Sequence, residues 1–468
     1  GCAYECDYCG GSKKAFREAG DRRGLTMRSR TAIARDLKIL AKYTDYVFLG
    51  NEPSKRHMYG VLEHIANDPE LARRFRCGYN TFQLMDDRLL ELIPRAFRTS
   101  HDITTIVEIA PETTIEADRA VVRDAALYYS NDQLMDSVIA TQERIPGAQT
   151  VVYFSRYHQT HTKSKLIDEL ANIHDMRCRL YDEGLSDRVV ITYCYLSTDV
   201  GSANWDQLPV QIGKRRTGST EMLLRHIRRY ERGQWPNPPI DGLCIYRPPD
   251  IDDAFEVWYM RLAQTIELLL EAGPYYYVVS RAIGFDRLIE ALGEVVEETR
   301  ELALGAQVTL HIVDRLHHTI ARRWPELHAQ APGLFTGALA VARGILMARN
   351  TRDVSLPPIA GEQLITVSQP VLERSRCAVV DYPVHTRTLY RRLADGLSAV
   401  PVEPTLYIFC PSGPRSFARR FAPVLEALDG RTALAEVLAE HDRAGLFDSD
   451  EGATFHDFVI ENYYHFAS

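Results

Sequence analysis

Three cysteines lie within the first nine residues of the sequence, namely Cys2, Cys6 and Cys9. The C-x3-C-x2-C spacing lets three thiolates on one short loop converge on a soft metal centre. A structural zinc site would need a fourth ligand from a second closely spaced pair, and a thioredoxin-like function of Cys6 and Cys9 would leave Cys2 without a role. We therefore expect an iron–sulfur cluster with three protein ligands and one open iron, and we keep zinc and redox thiols as alternatives.

The spacing of these cysteines, with an aromatic residue (Tyr8) before the last of them, resembles the signature of the radical S-adenosylmethionine (radical SAM) superfamily. The resemblance implies that Cys2, Cys6 and Cys9 hold a [4Fe-4S] cluster whose open iron is chelated by the amine and carboxylate of SAM, and that Tyr8 borders SAM. It also implies that an electron from the cluster cleaves SAM to a 5′-deoxyadenosyl radical. The cofactors would then carry the difficult chemistry, and no catalytic side chain is expected beyond the cluster ligands.

Short apolar, β-rich segments alternate with amphipathic stretches behind the cysteines, which predicts βα units and a parallel sheet. The predicted strands are Asp45–Leu49, Arg76–Tyr79, Ile103–Ile109, Gln149–Ser155 and Arg188–Leu196. The predicted helices are Ser29–Lys42, Lys55–Asn67, Asp86–Ala96, Asn131–Arg144 and Lys163–His174. We expect an α/β fold, a full or partial (β/α) barrel of the TIM type, with its active site at the carboxyl ends of the strands.

Polar loops follow two of these strands. Gly50, Asn51 and Glu52 come directly after the first strand and resemble the family's Gly-Gly-Glu-Pro segment, whose backbone receives the SAM amino group. Asn51 stands in place of the second glycine. The alternative is an ordinary turn, because Gly, Asn and Pro all favour turns.

The third strand runs into Glu108-Ile109-Ala110-Pro111-Glu112-Thr113, which resembles a turn of the cobalamin-dependent radical SAM branch. In that branch the second acid lies near the SAM ribose, and a carboxylate can accept hydrogen bonds from both ribose hydroxyls. Both Glu108 and Glu112 are therefore candidate SAM-binding residues. The alternative for Glu112 is an acidic residue at a helix N-terminus, where the helix dipole favours it without any ligand.

The fourth strand is followed by Arg156, His158 and His161, at the position of a glycine- and proline-containing loop of the family. Arg156 is a candidate for contact with the SAM carboxylate, although the glycines and the proline are absent here. We expect His158 and His161 to line the cavity or to be exposed. Leu196–Ser202 resembles the loop after the next strand of the same branch.

Composition and chain organisation bound the remaining possibilities. The chain has 468 residues, 45% of them hydrophobic and 25% charged, and a net charge of −8, which disfavours nucleic acid as a partner. No apolar run approaches the ~20 residues that span a bilayer, so no membrane association is expected.

We predict a radical SAM barrel over residues 1–232, a mainly helical region over 233–352 and a small α+β domain over 353–468. In the second region, the aromatic run Tyr275–Tyr277 is expected to pack in a core or interface.

The family barrel has a strand before the cluster loop, and here the first cysteine is residue 2. We therefore expect either that this strand is missing or that an upstream segment supplies it. In the branch that the sequence resembles, the N-terminal neighbour is a cobalamin-binding domain. Cobalamin is thus implied by the resemblance alone.

The resemblance implies a cytoplasmic enzyme that transfers a methyl group to an unactivated carbon of a small metabolite or natural-product intermediate, with a flavodoxin or ferredoxin as electron donor. One alternative is a radical SAM rearrangement, cyclisation or oxidation without methyl transfer. The other is a non-catalytic module in which the three cysteines bind zinc.

Overall fold

A computed structural model describes residues 2, 4–20, 26–50, 54–196, 202, 204, 210–212, 215–216, 244–246, 248–273, 275–299, 306–326, 338–339, 342–343, 346, 378–382, 405–410, 413–427, 434–443, 445–447, 449, 452–457 and 459. The chain divides between Phe255 and Glu256 into two units. The predicted boundaries near residues 232 and 352 lie outside the described residues and stay predictions.

A five-stranded parallel sheet forms the centre of the first unit. Its strands are β1 (Tyr46–Leu49), β2 (Arg76–Thr81), β3 (Thr105–Glu112), β4 (Ala148–Arg156) and β5 (Val189–Tyr195). They lie side by side in chain order, and every neighbouring pair is parallel. The predicted α/β class with a parallel sheet is therefore confirmed, whereas closure of the sheet into a barrel stays a prediction.

Helices precede and connect these strands. They are α1 (Lys13–Gly20), α2 (Arg30–Leu40), α3 (Lys55–Asn67), α4 (Asp87–Ala96), α5 (Glu116–Val122), α6 (Asn131–Arg144) and α7 (Lys163–Asp182). Five of them begin after a side chain that accepts a hydrogen bond from a backbone N–H of the first turn, which is why they start there. These N-cap residues are Ser29, Ser54, Asp86, Ser130 and Thr162.

The two faces of the sheet differ in burial. Alternate strand residues such as Tyr79, Val107 and Val152 pack with residues of α2, α3, α4, α6 and α7 in one hydrophobic core. On the other face, Phe48 is 48% exposed and Val190 is 54% exposed. Because side chains alternate across a strand, the helices cover one face and leave the other partly open.

The remaining described elements lie nearer the C-terminus. The first unit also contains an antiparallel sheet of β6 (Val210–Ile212), β7 (Arg215–Arg216) and β8 (Cys244–Tyr246). The division between the units falls within α8 (Asp253–Glu271), and the helices that follow are α9 (Tyr275–Ile283), α10 (Phe285–Glu298) and α11 (Ala306–Arg323). The predicted aromatic run Tyr275–Tyr277 is buried and forms the first turn of α9.

The last part of the second unit has strands and helices in its described segments. β9 (Ala378–Tyr382), β10 (Thr405–Cys410) and β11 (Gly413–Ala418) form an antiparallel sheet, followed by α12 (Ala422–Ala427) and α13 (Leu434–Asp442). The predicted α+β domain over 353–468 stays a prediction, because much of that range lies outside the described residues. Within the part of the chain that the structure describes, no helix is both long enough and apolar enough to cross a bilayer.

Candidate functional site

The cysteine loop precedes α1 and presents three free, half-buried thiols, those of Cys2, Cys6 and Cys9. Backbone amides point at their sulfurs. The N–H of Tyr4 donates to the Sγ of Cys2 at 3.5 Å, and the N–H of Gly11 donates to the Sγ of Cys9 at 3.3 Å.

The loop lies at the carboxyl end of the parallel sheet, because residues at or beyond the ends of β2, β3, β4 and β5 hydrogen-bond to it. After β2, Gln83 donates to the hydroxyl of Tyr4, and at the end of β3, Glu112 accepts the hydroxyl of Tyr8 at 2.7 Å. Asp7 receives the other two bonds: its carboxylate accepts the Nε2 of Gln159, after β4, at 3.2 Å, and its carbonyl accepts the N–H of Asn204, after β5, at 2.8 Å. This is the edge at which α/β barrels build their active sites.

Glu112 connects the cysteine loop to the sheet. One carboxylate oxygen accepts the hydroxyl of Tyr8, and the other accepts the hydroxyl of Ser155 at 2.8 Å. Glu112 is the last residue of β3, follows a register shift against β4, and has a φ of +70°. A left-handed backbone at a residue other than glycine is uncommon and is maintained only by strong local contacts. Burial raises the pKa of Glu112, while Arg123 and the two hydroxyl donors oppose that rise.

Glu108 lies four residues before Glu112 on β3, farther from the carboxyl end of the strand. Its carboxylate accepts the side-chain amide of Asn80 at 3.1 Å and the hydroxyl of Tyr153 at 3.3 Å, so it bridges β2, β3 and β4 on the open face of the sheet. Glu108 and Glu112 thus share the carboxyl half of β3, with Glu112 facing the cysteine loop. Whether either carboxylate binds SAM stays a prediction.

Several predicted SAM contacts lie at or beyond the limits of the described residues. Gly50 is exposed directly after β1, whereas Asn51 and Glu52 lie outside the described residues. In the predicted loop Leu196–Ser202, only Leu196 and Ser202 are described. Gly50, Asn51 and Glu52 therefore stay predictions.

Arg156 is the last residue of β4 and is buried. Its guanidinium lies 5.4 Å from the centroid of the Tyr193 ring. By strand alternation it shares a side with Phe154, which packs in the helix-covered core, rather than with Tyr153 and Ser155 on the open face. The predicted contact between Arg156 and the SAM carboxylate stays a prediction.

His158 and His161 are not exposed: they are 1% and 2% accessible. The Nδ1 of His161 accepts the backbone N–H groups of Tyr157 and His158 at 2.9 and 3.3 Å, and its Nε2 lies 3.6 Å from a carboxylate oxygen of Glu169. The Nε2 of His158 lies 3.2 Å from the carbonyl oxygen of Glu112. Of the two alternatives, exposure is therefore wrong, because His158 packs against the end of β3 and His161 against the turn itself and Glu169, whereas a place in the lining of the cavity stays a prediction.

Glu169 of α7 is fully buried and hydrogen-bonds both to the segment after β3 and to β5. It accepts the hydroxyl of Thr113, the backbone N–H of Thr114 at 3.1 Å and the hydroxyl of Tyr193. Burial alone would raise its pKa, yet the adjacent His161, with lesser contributions from His158 and the hydroxyl of Thr113, holds the pKa of Glu169 below its usual value. Burial also lowers the pKa of His158 to about 4, aided by the adjacent His161.

Sequence analysis missed four side chains of this region. Asn80 and Ser155 hold the two carboxylates, and strand alternation places them on the open face of the sheet, so this pattern could have identified them. Glu169 and Arg123 left no such signal, because each is a charged residue buried through contacts distant in sequence.

The donor set of the cysteine loop fits an iron–sulfur cluster. Three thiols on one loop, with backbone amides directed at their sulfurs, are the ligands that such clusters use. Within the described residues, no three His, Cys, Asp or Glu side chains converge on a position that could hold a single metal ion. A cluster instead presents a separate iron to each thiolate, so its ligands do not need to meet at one point.

Comparison with known proteins gives a likeness to solved structures only. No family model matches the sequence, and no curated protein matches it. The chain is similar to two structures of the radical SAM methyltransferase TsrM from Kitasatospora setae. One contains cobalamin and a [4Fe-4S] cluster, and the other contains tryptophan substrate and the SAM analogue aza-SAM.

Both matches are distant. Sequence identity is 15% in each case, and the TM-scores are 0.38 and 0.37. The alignments cover 54% of this chain, and this chain spans about half of each solved structure, 46% and 50%. These structures come from the family that the cysteine motif resembles, but TM-scores this low carry no argument about the present chain.

Proposed function

We propose that this chain is a radical SAM enzyme whose cluster is bound by Cys2, Cys6 and Cys9. The observation that carries the proposal is the location of the cysteine loop. Hydrogen bonds from the ends of four parallel strands hold it at the carboxyl edge of the sheet. Parallel sheets of this kind bind their reactants at that edge.

The residues around the loop would divide the work of binding and orientation. The three thiolates hold the cluster, and Tyr8 fixes Glu112 beside it through the 2.7 Å hydrogen bond. Each oxygen of a carboxylate can accept more than one hydrogen bond, so Glu112 and Glu108 keep acceptor capacity for hydroxyls of a ligand. We assign SAM contacts to these two acids and to the segment Gly50–Glu52, with Arg156 as a further candidate.

When bound, the cluster and SAM would supply the radical that removes a hydrogen atom from the substrate. The side chains of this chain would position the reactants and exclude water. The open face of the sheet, with Asn80, Glu108 and Tyr153 hydrogen-bonded across it, offers polar groups for that purpose.

The finer proposal is cobalamin-dependent methylation of an unactivated carbon in a small metabolite or natural-product intermediate. It is supported by the resemblance of the Glu108–Thr113 segment to a turn of the cobalamin branch. It calls for an electron donor such as a flavodoxin or ferredoxin, and for the reducing conditions of the cytoplasm. The alternatives are a radical reaction without methyl transfer and a zinc-binding module.

Single substitutions of the cysteines test the proposal. Cys6→Ala, reconstituted anaerobically with iron and sulfide, should lose most of the bound iron and the absorption of the cluster, because one of three protein ligands is gone. Cys178→Ala is the matched control, since Cys178 is a half-buried cysteine of α7 outside the loop. Iron, sulfide and zinc are measured in both variants and in the unaltered protein. An unaltered protein that binds zinc and takes up no iron would contradict the proposal.

A further inference from the structure

The segment that follows α5 is paired with the cysteine loop. The N–H of Asp7 donates to the carbonyl of Val122 at 3.5 Å, and the N–H of Glu5 donates to the carboxylate of Asp124 at 3.2 Å. These two bonds flank Cys6 on one side and Arg123 on the other. Arg123 therefore stands opposite Cys6.

Arg123 is only 3% exposed, although its side chain carries a permanent charge. One terminal nitrogen donates to the carbonyl of Phe82 at 2.7 Å, and the other contacts the hydroxyl of Tyr129 at 3.3 Å. Its Nε is buried without a hydrogen-bond partner. In the part of the chain that the structure describes, no carboxylate lies within ion-pair distance of Arg123.

A buried cation with uncharged partners is costly, because water is removed and no anion replaces it. Nearby groups feel the charge of Arg123. Burial raises the pKa of Glu112, and the charge of Arg123 is the largest influence that opposes this rise. Although burial lowers the pKa of Arg123, the nearby groups that can become negative raise it overall. Glu112 offsets part of this cost without a direct ion pair, and an anion at the cysteine loop would offset more of it.

We propose that Arg123 is the counter-charge of the cluster and raises its reduction potential, an inference that rests on the proposed function. A cluster bound by thiolates is an anion, and it becomes more negative when it accepts an electron. A nearby buried cation stabilises the reduced form more than the oxidised form, because the low local dielectric leaves the charge poorly screened. Arg123 is thus a tuning residue and is not expected to touch the substrate.

The test compares reduction potentials in the full chain. The unaltered protein, Arg123→Gln, Arg123→Lys and Arg17→Gln are reconstituted with iron and sulfide and titrated with dithionite, and the reduced cluster is followed by electron paramagnetic resonance. Arg17 is the matched control, because it is an exposed arginine whose guanidinium lies 4.0 Å from Glu5 of the same loop. Water and salt screen an exposed charge, so its removal should leave the potential close to that of the unaltered protein.

Arg123→Gln should shift the potential to lower values, and Arg123→Lys, which keeps the charge, should stay near the unaltered protein. Equal potentials in Arg123→Gln and Arg17→Gln would overturn the inference while leaving the proposed function in place. If Arg123→Gln retains no cluster, the counter-charge model requires normal iron content in Arg123→Lys, and loss of iron there too would overturn it. If the unaltered protein holds no cluster, the proposed function itself fails.

Discussion

The carboxylate of Glu112 joins two parts of the chain that are far apart in sequence. Tyr8 is 104 residues away from it and Ser155 is 43 residues away, yet each donates a hydroxyl to one of its oxygens. Two neighbours hold the left-handed backbone of Glu112 in place. His158 contacts its carbonyl, and Glu169 accepts hydrogen bonds from the next two residues. At this scale the candidate site is a carboxylate in a strained position, fixed by a buried polar network.

His158 makes this network sensitive to pH. The pKa of His158 is near 6.5 in the unfolded chain and falls to about 4 in the folded protein. Between these values the unfolded state binds more protons, so the free energy of unfolding falls as the pH is lowered through this window. The difference corresponds to about 3 kcal/mol. The groups that face His158 are His161, Glu169 and the carbonyl of Glu112.

Replacement by glutamine should remove this dependence, because an amide can still donate to the carbonyl of Glu112 and does not titrate. Thermal unfolding midpoints are measured from about pH 7 to about pH 4.5 for the unaltered protein, His158→Gln and His101→Gln. His101 is exposed and serves as the control. The acid-induced fall should be smaller in His158→Gln alone. An undiminished fall in that variant would contradict the assignment.

At the scale of the elements, periodicity predicted the five strands and the helices α2, α3, α4, α6 and α7, with most bounds within a few residues. It missed α5, whose buried side includes Asp118 and Arg119 in place of an apolar stripe. Arg119 donates hydrogen bonds to the carbonyls of Thr113 and Tyr129, and a local hydrophobic pattern does not predict such contacts. Arg123, one turn later, was missed for the same reason.

The burial of His158 and His161 was also hidden from sequence. Histidines in a polar loop are ordinarily interpreted as exposed, and their burial follows from contacts with Glu169 of α7 and with the carbonyl of Glu112, which is 46 residues from His158. Local spacing alone indicated the three cysteines as cluster ligands, and that role stays a prediction. Strands and helices were therefore predictable from local patterns, whereas polar groups buried by distant partners were not.

The entry into β4 depends on a glycine, which gives a prediction at this scale. Gly147 has a φ of +73°, and an added Cβ would lie 2.1 Å from the carbonyl oxygen of Ser100 and 2.3 Å from that of Ile103. Gly284, before α10, also has a positive φ of +82°, but no atom lies within 4 Å of an added Cβ. A comparison of the alanine variants at these two glycines therefore separates the cost of backbone strain from the cost of steric overlap.

Gly284→Ala should cost about 1–3 kcal/mol, because its φ of +82° with a ψ of 157° is a conformation that essentially only glycine adopts. Gly147→Ala should cost at least about 3 kcal/mol, because backbone atoms must also move. Unfolding of each unit is followed by differential scanning calorimetry of the full chain. Equal losses in the two variants would show that the overlap at Gly147 is relieved without cost.

For the whole molecule, the nucleoside products test the proposed function and distinguish its alternatives. The full protein is incubated anaerobically with SAM, cobalamin and dithionite, and the nucleoside products are separated with mass detection. Cobalamin-dependent methylation should release 5′-deoxyadenosine and S-adenosylhomocysteine together, since one SAM supplies the radical and another supplies the methyl group. 5′-Deoxyadenosine alone would favour a rearrangement, cyclisation or oxidation. Cys6→Ala is the control and should form neither product.

The contacts that seat the cysteine loop also set an order of events during maturation. Tyr8 reaches Glu112 across 104 residues, and Asp7 reaches Gln159 across 152 residues. Contacts between such distant positions form slowly, because much chain entropy must be lost before they contribute. We therefore expect the loop to dock only after β2, β3 and β4 are paired. Newly synthesised chains would pass through a stage with a formed sheet and unshielded thiols, in which oxidation competes with iron delivery.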